Sequence, residues 1–179
     1  MSLFGNKESV KGKKSLIIYY SRKGQNYTNH GIQELSAGNT EVIAKMICEI
    51  TGGELFEIKP AKEYPIDYTE CTVVAKEELR VGARPELQEY LEDISDYEVI
   101  YIGYPNWWGT MPMPMMTQLE KLDFTDKIVM PFCTHEGSAM GNSESDIKRI
   151  CKGANVLKGL PIQGSFVSTA KSKVEQWIE

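Results

Sequence analysis

Histidine is nearly absent: His30 and His135 are the only two in 179 residues. The four cysteines, Cys48, Cys71, Cys133 and Cys151, contain no Cys-x-x-Cys pair. A structural zinc site needs such pairs or more imidazoles, so no metal site is expected. The scattered thiols also fit a reducing cytoplasm better than a disulfide framework. Cys48 and Cys151 fall among apolar helix positions and Cys133 ends an apolar strand, so these three are expected to be buried and reduced. No apolar run approaches the roughly 20 residues that cross a bilayer, and no membrane insertion is expected. An apolar signal core is missing too, because Lys7, Lys11, Lys13 and Lys14 interrupt the first residues. Residues 1–14 are therefore expected to be a polar, flexible extension, with one domain over 15–179. A basic excess is lacking: the formal net charge is -5, which argues against nucleic acid as a partner. Neither G-x-x-x-x-G-K-[ST] nor G-x-G-x-x-G occurs, so nucleoside triphosphates and dinucleotides lose support as ligands.

What remains is an ordinary globular composition, 41% apolar and 25% charged, long enough for one sizeable core. Residues 15–20, 98–103 and 127–133 are continuous apolar runs of strand length. Runs apolar on both faces suit central strands of a parallel sheet covered by helices. Residues 54–58 alternate as an edge strand would, and a last strand is expected within 155–163. Helices fall between the strands. Ile43, Met46, Ile47 and Ile50 recur at helical spacing until Gly52-Gly53. Met115, Met116, Leu119 and Leu122 mark a second helix, with Pro112 and Pro114 near its start. Ile147, Ile150 and Cys151 mark another, with Ser143 or Ser145 as cap. Val174, Trp177 and Ile178 mark a C-terminal one. Between Asp67 and Asp96 the pattern predicts helix in pieces, the clearer one carrying Leu87, Tyr90, Leu91 and Ile94. This alternation implies an α/β fold with a doubly wound parallel sheet.

In such sheets ligands bind beyond the C-terminal strand ends, where strand order reverses. Three loops there have unusual compositions. The first runs from Ser21 and Arg22 to Gly38-Asn39-Thr40 at a helix start, where small and polar donors suit an anion. Its segment 22–37 is polar, holds no strong period, and exceeds the usual 2–6 residues of such connections. The second reads Gly103-Tyr104-Pro105-Asn106-Trp107-Trp108-Gly109. Paired tryptophans in a loop point to recognition of a flat ring, with one of the two expected to pack on the core instead. The third, Thr134-His135-Glu136-Gly137-Ser138, is polar and carries one histidine without a partner for catalysis. The methionines Met111, Met113, Met115 and Met116 read as helix start and core.

Taken together, Tyr20-Ser21 with Gly38-Asn39-Thr40, the Tyr-Pro-Asn-Trp-Trp-Gly loop and Thr134-His135-Glu136-Gly137-Ser138 resemble the flavodoxin family, closest to its branch of small flavodoxin-like flavoproteins. The resemblance covers nearly the whole chain from Ser15. It implies a flavodoxin-like three-layer sandwich, with five parallel strands in order 2-1-3-4-5 and helices on both faces. It also implies FMN as cofactor. Ser21, Arg22, Gly38, Asn39 and Thr40 would then meet the phosphate end. Pro105, Asn106, Trp107, Trp108 and Gly109 would line one side of the flavin ring, and Thr134, His135, Glu136, Gly137 and Ser138 the other. The departure from the family pattern is segment 22–37, inserted into what is commonly a compact phosphate loop, with Tyr27 or His30 as lid candidates. Two functions follow from the resemblance. One is an electron-transfer carrier working between redox partner proteins. The other is an NAD(P)H-dependent FMN or quinone oxidoreductase passing electrons to a small quinone-type acceptor. Neither requires a dedicated side-chain acid or base.

Overall fold

In the computed structural model, which describes residues 9–179, strands and helices alternate along the chain. The order is β1 (Ser15–Tyr19), β2 (Gly24–Thr28), β3 (Gly31–Leu35), α1 (Asn39–Thr51), β4 (Glu54–Glu57), α2 (Tyr68–Val81) and β5 (Val99–Pro105). It continues with α3 (Met113–Leu119), β6 (Ile128–His135), α4 (Ser143–Ile150), β7 (Asn155–Val156), β8 (Leu160–Gln163) and α5 (Lys171–Ile178). Of the expected N-terminal extension, residues 1–8 lie outside the described residues, and Val10 is buried in the same cluster as Val174 and Ile178 of α5.

The main sheet is parallel and runs β4-β1-β5-β6, with β7 and β8 both beside β6. Counting β7 and β8 as one interrupted strand, this is the 2-1-3-4-5 order of flavodoxin itself. The last strand is interrupted near Gly159, whose N–H donates to Glu144 Oε1 at 2.7 Å instead of a strand neighbour.

Strand periodicity sorts the core into two layers. Leu16, Ile18, Ile100, Ile102, Tyr104 and Val129 face one side, against Met115, Leu119 and Ile147 of α3 and α4. Ile17, Tyr19, Val99, Tyr101, Met130 and Phe132 face the other, against Ile43, Ile47, Val174 and Ile178 of α1 and α5. Gly103 in β5 is glycine because a Cβ there would run into the Phe132 ring. The four methionines expected in the core are all buried. Cys71, Cys133 and Cys151 are buried and free; Cys48, expected buried, is only partly so. No described helix is long and apolar enough to cross a membrane.

Three expectations change. Segment 22–37 is a β-hairpin, β2 paired antiparallel with β3. Its strands are polar and pair only with each other, so no apolar alternation announced them. The predicted helix through Leu87 and Ile94 is extended loop. Gly82, at φ 62°, closes α2, and Pro85 follows. Leu87 and Ile94 are buried without helical turns, and Leu87 makes a bridge with Pro60 instead. The helical spacing there reflects burial of a loop. At α4 neither Ser143 nor Ser145 is the cap. Asn142 holds that position without a side-chain hydrogen bond, while Ser143 Oγ accepts the Tyr104 hydroxyl at 2.8 Å.

What holds the 82–98 loop is Gln118 of α3, which is 0% exposed. Its Oε1 accepts the Leu91 N–H and its Nε2 donates to the Leu91 carbonyl, both at 2.9 Å. One side chain thus replaces both ladder partners of a partly buried backbone unit. Gln118→Leu strands that pair and should cost about 1–4 kcal/mol, since each unpaired group costs ~1–3 when fully buried and less when, as here, partly so. Urea denaturation measures this; a loss below about 0.5 kcal/mol, the range of neutral surface changes, would contradict it.

Candidate functional site

The strands β5 and β6 end nearly in step, Pro105 pairing with Thr134, and β1 ends two residues earlier, with Tyr19 beside Gly103 and Gly103 beside Phe132. The loops that follow open on one edge, and a cavity of about 320 Å³ lies among them. The first loop contributes Arg22, and the start of α1 contributes Asn39 and Thr40. The second loop contributes Pro105, Asn106 and Trp107, the third Thr134, His135, Glu136 and Ser138. A larger compartment of about 620 Å³ adjoins it, sharing Trp107 and adding Trp108 and Gly109. Ser21, Gly38 and Gly137 line neither space, and each supports a group that does.

Ser21 Oγ accepts the Glu41 N–H at 3.0 Å, so it caps α1 from 20 residues away. Gly38 lets the first loop touch α1: a Cβ there would strike Ser21 Oγ and lie 2.6 Å from the Arg22 carbonyl oxygen. Gly137 N–H donates to His135 Nδ1 at 3.0 Å. The Thr40 and Thr134 hydroxyls, both buried, are joined at 2.7 Å and tie α1 to the end of β6. The first amides of α1 have no intrahelical acceptor and carry the positive end of the helix dipole toward the cavity.

Charge in the cavity is sparse. Arg22 forms no ion pair among the described residues; its guanidinium donates to the carbonyls of Gln25, Pro65 and Ile66. His135 is held below its ordinary pKa by burial and by the charge of Lys173, which favours the neutral imidazole. Burial pushes the Glu136 carboxyl up. Its Oε2 is shut off from solvent and has no hydrogen-bond partner. No group of three or more His, Cys, Asp or Glu arranged for a metal occurs among the described residues.

The two tryptophans divide their work. Trp107 is partly buried, edge-on to Tyr20 at 5.3 Å and to Tyr64 at 5.0 Å, and packs on the core. Trp108 is 51% exposed. Trp107 N–H and C=O pair with Thr110, so Trp108 and Gly109 form a two-residue turn with φ 56° and 87°. Positive φ at both central positions is the type I′ pattern, which favours Asn-Gly. A tryptophan there costs about 1–2 kcal/mol of backbone strain. Its Nε1 donates to the Thr72 carbonyl at 3.0 Å and the Lys76 ammonium sits over its ring at 4.8 Å, which hold the indole against α2. Asn106 Nδ2 donates to the Ala139 carbonyl at 2.8 Å, bracing the second loop against the third.

Sequence reasoning missed the wall made by α2. Gln25 Oε1 of the hairpin accepts the Tyr68 N–H at 2.9 Å, the first amide of α2. Tyr27 stacks on Tyr68, with ring centroids 6.2 Å apart and planes at 30°. Both rings, with Asn26, face the two compartments, and Cys71, Thr72 and Ala75 complete the larger one. Tyr27 thus lies at the site as a lid candidate should, while His30, at the hairpin turn, lines neither space. The available signal was Tyr27 and Tyr68, two aromatics in polar surroundings.

A family model described as Flavodoxin matches residues 33–179. The chain belongs to the flavodoxin family. Among solved structures, a candidate flavoprotein of Bacteroides uniformis is 31% identical to this flavodoxin, with a TM-score of 0.72 over 94% of this chain and 99% of that one. A flavoprotein of Lactobacillus acidophilus, solved in complex with FMN, is 24% identical, with a TM-score of 0.63 over 93% and 99%. The oxidised flavodoxin 2 of Bacillus cereus is 20% identical, with a TM-score of 0.51 over 92% and 97%. The last two likenesses speak to the fold alone. No curated protein matches the chain.

Within this flavodoxin the contact at Gly38 is the tightest requirement of the first loop. Gly38→Ala should cost about 1–3 kcal/mol, as overpacking does, because the Arg22 carbonyl is backbone and cannot swing aside. Thermal or urea unfolding reads this, and an unchanged midpoint would contradict it.

Proposed function

We propose that this flavodoxin binds FMN between the start of α1 and the aromatic wall, and transfers electrons through it. One juxtaposition carries the reading: a helix start with free amides and buried hydroxyls lies at one end of a continuous cavity, and tyrosine and tryptophan rings lie at the other. A phosphate needs the first and a flat ring system the second. The Lactobacillus acidophilus flavoprotein was solved with FMN and a Fusobacterium nucleatum flavodoxin bound to it, which supports the assignment. Asn39, Thr40, Thr134 and Arg22 would hold the phosphate end, with Ser21 and Gly38 shaping that loop. Pro105, Asn106, Trp107, Trp108 and Gly109 would lie to one side of the ring, and His135, Glu136, Gly137 and Ser138 to the other.

FMN supplies the one- or two-electron chemistry when bound; the protein binds, orients and shields it. His135 is not a general base in this reading. Its Nδ1 is already engaged by Gly137, and no second group orients it. The net charge of -5 suits a carrier that docks on basic redox partners. The four free thiols suit the reducing cytoplasm in which we place it.

Titration of FMN with the protein should quench flavin fluorescence and give a yellow complex. Thr40→Val removes a phosphate-directed hydroxyl and should weaken FMN about tenfold or more, the scale of a hydrogen bond to a charged group. Riboflavin, which lacks the phosphate, should lose far less; equal losses would overturn the phosphate assignment.

A second reading is favoured by the larger compartment beside Trp108. Its size and aromatic lining fit a small flat acceptor, as an NAD(P)H-dependent quinone reductase would need. The two readings separate by donor. For the carrier, FMN-loaded protein oxidises NADPH only when a flavoprotein reductase is supplied, and His135→Ala leaves that cycling intact. Rapid direct NADPH oxidation with a quinone, abolished by His135→Ala, would make the protein an enzyme. Trp108→Asn tests the wall itself. It relieves the left-handed turn, so folding stability should change by less than about 1 kcal/mol, while loss of a stacking ring costs ligand binding ~1–3 kcal/mol. Unchanged FMN and acceptor binding would place the wall elsewhere.

A further inference from the structure

Tyr64 and Glu78 form a pair that the FMN reading leaves unused. Tyr64 lies between β4 and α2, Glu78 lies on α2, and the phenol donates to Glu78 Oε2 at 2.5 Å. Glu78 has no ion pair among the described residues; Lys62 acts on it only through its charge. Burial outweighs that charge and the hydrogen bond and raises the carboxyl, which makes its carboxylate a stronger proton acceptor than usual. Burial and the same hydrogen bond hold the Tyr64 phenol well above its ordinary value, so it keeps its proton.

The Tyr64 ring also meets the aromatic wall. It stands edge-on to Trp107 with centroids 5.0 Å apart, and Trp107 lines both compartments of the crevice. Tyr64 and Glu78 line instead a cavity of about 550 Å³ between residues 60–65, α2 and residues 83–86, with Lys62 and Glu86 exposed at it. This cavity shares no lining residue with the two compartments. One tyrosine thus connects a ring of the wall to a second surface of the molecule, and its proton has a base within hydrogen-bond reach.

A phenol resists one-electron oxidation while it keeps its proton, and yields far more easily when a base takes that proton in the same step. Rings in contact are close enough for an electron to cross. We infer that Tyr64 and Glu78 form a redox-active tyrosine site that drains oxidising equivalents from Trp107. When a one-electron oxidant has taken an electron from Trp107, Tyr64 gives one electron to the indole radical cation and restores it. The phenolic O–H bond breaks in the same step, and the proton passes to Glu78 Oε2. A neutral phenoxyl radical and a protonated Glu78 remain. A small thiol or enediol reductant reaching the cavity then returns one electron, and Glu78 returns the proton. Tyr20 gives the contrast: its ring lies 5.3 Å from that of Trp107, yet no carboxylate accepts its hydroxyl. Tyr101 beside Trp177, at 5.8 Å, lacks such a base as well. The use of the relay, to protect a wall ring beside a redox cofactor, rests on the FMN reading; the relay itself needs no flavin.

Pulse radiolysis of the full chain without flavin tests the relay. The azidyl radical oxidises indoles, and indolyl and phenoxyl radicals differ in absorption. In wild type, part of the indolyl signal should convert to phenoxyl in a first-order phase whose rate does not depend on protein concentration. Tyr64→Phe keeps the ring and removes the O–H, and should abolish that phase; Trp107→Phe should abolish the same one. Glu78→Gln keeps the shape and an acceptor oxygen but is a far weaker base. It should slow the phase about tenfold or more, the scale of a lost bond to a charged group expressed as a rate. A brace between the 60–65 segment and α2 would leave these kinetics unmoved. Absence of the phase in wild type would overturn the inference. So would a phase that survives Tyr64→Phe and is lost in Tyr20→Phe, or one that Glu78→Gln leaves unchanged. Flavin titration decides the reading beneath it separately: wild type that quenches no flavin fluorescence would overturn FMN binding and leave the relay standing.

Discussion

Parallel pairing of β5 with β1 on one side and β6 on the other is the constraint from which the site follows. After β1 the chain moves outward to β4, then returns across β1 to place β5 on the opposite side. Helices therefore leave the sheet on opposite faces at that point, and the loops above β1 and β5 cannot pack on each other. The register sets how they are offset. With Gly103 between Tyr19 and Phe132, β1 releases its chain two residues before β5, and each loop faces the same crevice. A helix start, an aromatic wall and a polar third side then need only local sequence. Gly103 itself shows the tightness of this arrangement, since the Phe132 ring fills the place of its side chain.

Above that rigid edge sits a softer layer. The hairpin β2–β3 touches the rest through few, specific bonds: Arg22 to two carbonyls before α2, Gln25 to the first amide of α2, and Tyr27 on Tyr68. Helix α2 buries only Cys71 and Ala75. Val73 and Val81 of α2, Ile66 before it, Tyr27, Ile32 and Trp108 are all exposed. Segments with little buried apolar area open locally at low cost. The layer that covers the larger compartment is thus the one best able to move, while the start of α1 is built on the core through Thr40 and Thr134.

How much of this was legible in the sequence depends on what stabilises each part. The central strands were readable because burial on both faces demands continuous apolar runs, and α1 because its apolar stripe stops at Gly52. The loop glycines and tryptophans were readable because their compositions are hard to explain by packing alone. The hairpin was not, since polar strands paired only with each other leave no apolar period. Residues 82–98 misled for the opposite reason. Leu87, Tyr90, Leu91 and Ile94 carry helical spacing, yet the decisive contact is the Gln118 side chain on the Leu91 backbone, a partner 27 residues away. The role of Ser21 as a remote cap for α1 was likewise invisible, because it depends on the first loop returning to within 3.0 Å of Glu41.

The central claim is that the phosphate of FMN is held at the start of α1, away from bulk water and beside Arg22. Phosphorus-31 NMR of the protein–FMN complex tests it most directly. A phosphate monoester free in solution takes up its second proton near pH 6. Helix amides and an unpaired guanidinium favour the dianion and lower that value. The account predicts one shifted phosphorus signal that does not move between about pH 5.5 and 8, a window spanning that proton uptake. A bound signal that titrates as free FMN does would mean that the phosphate lies in solvent, and would contradict it.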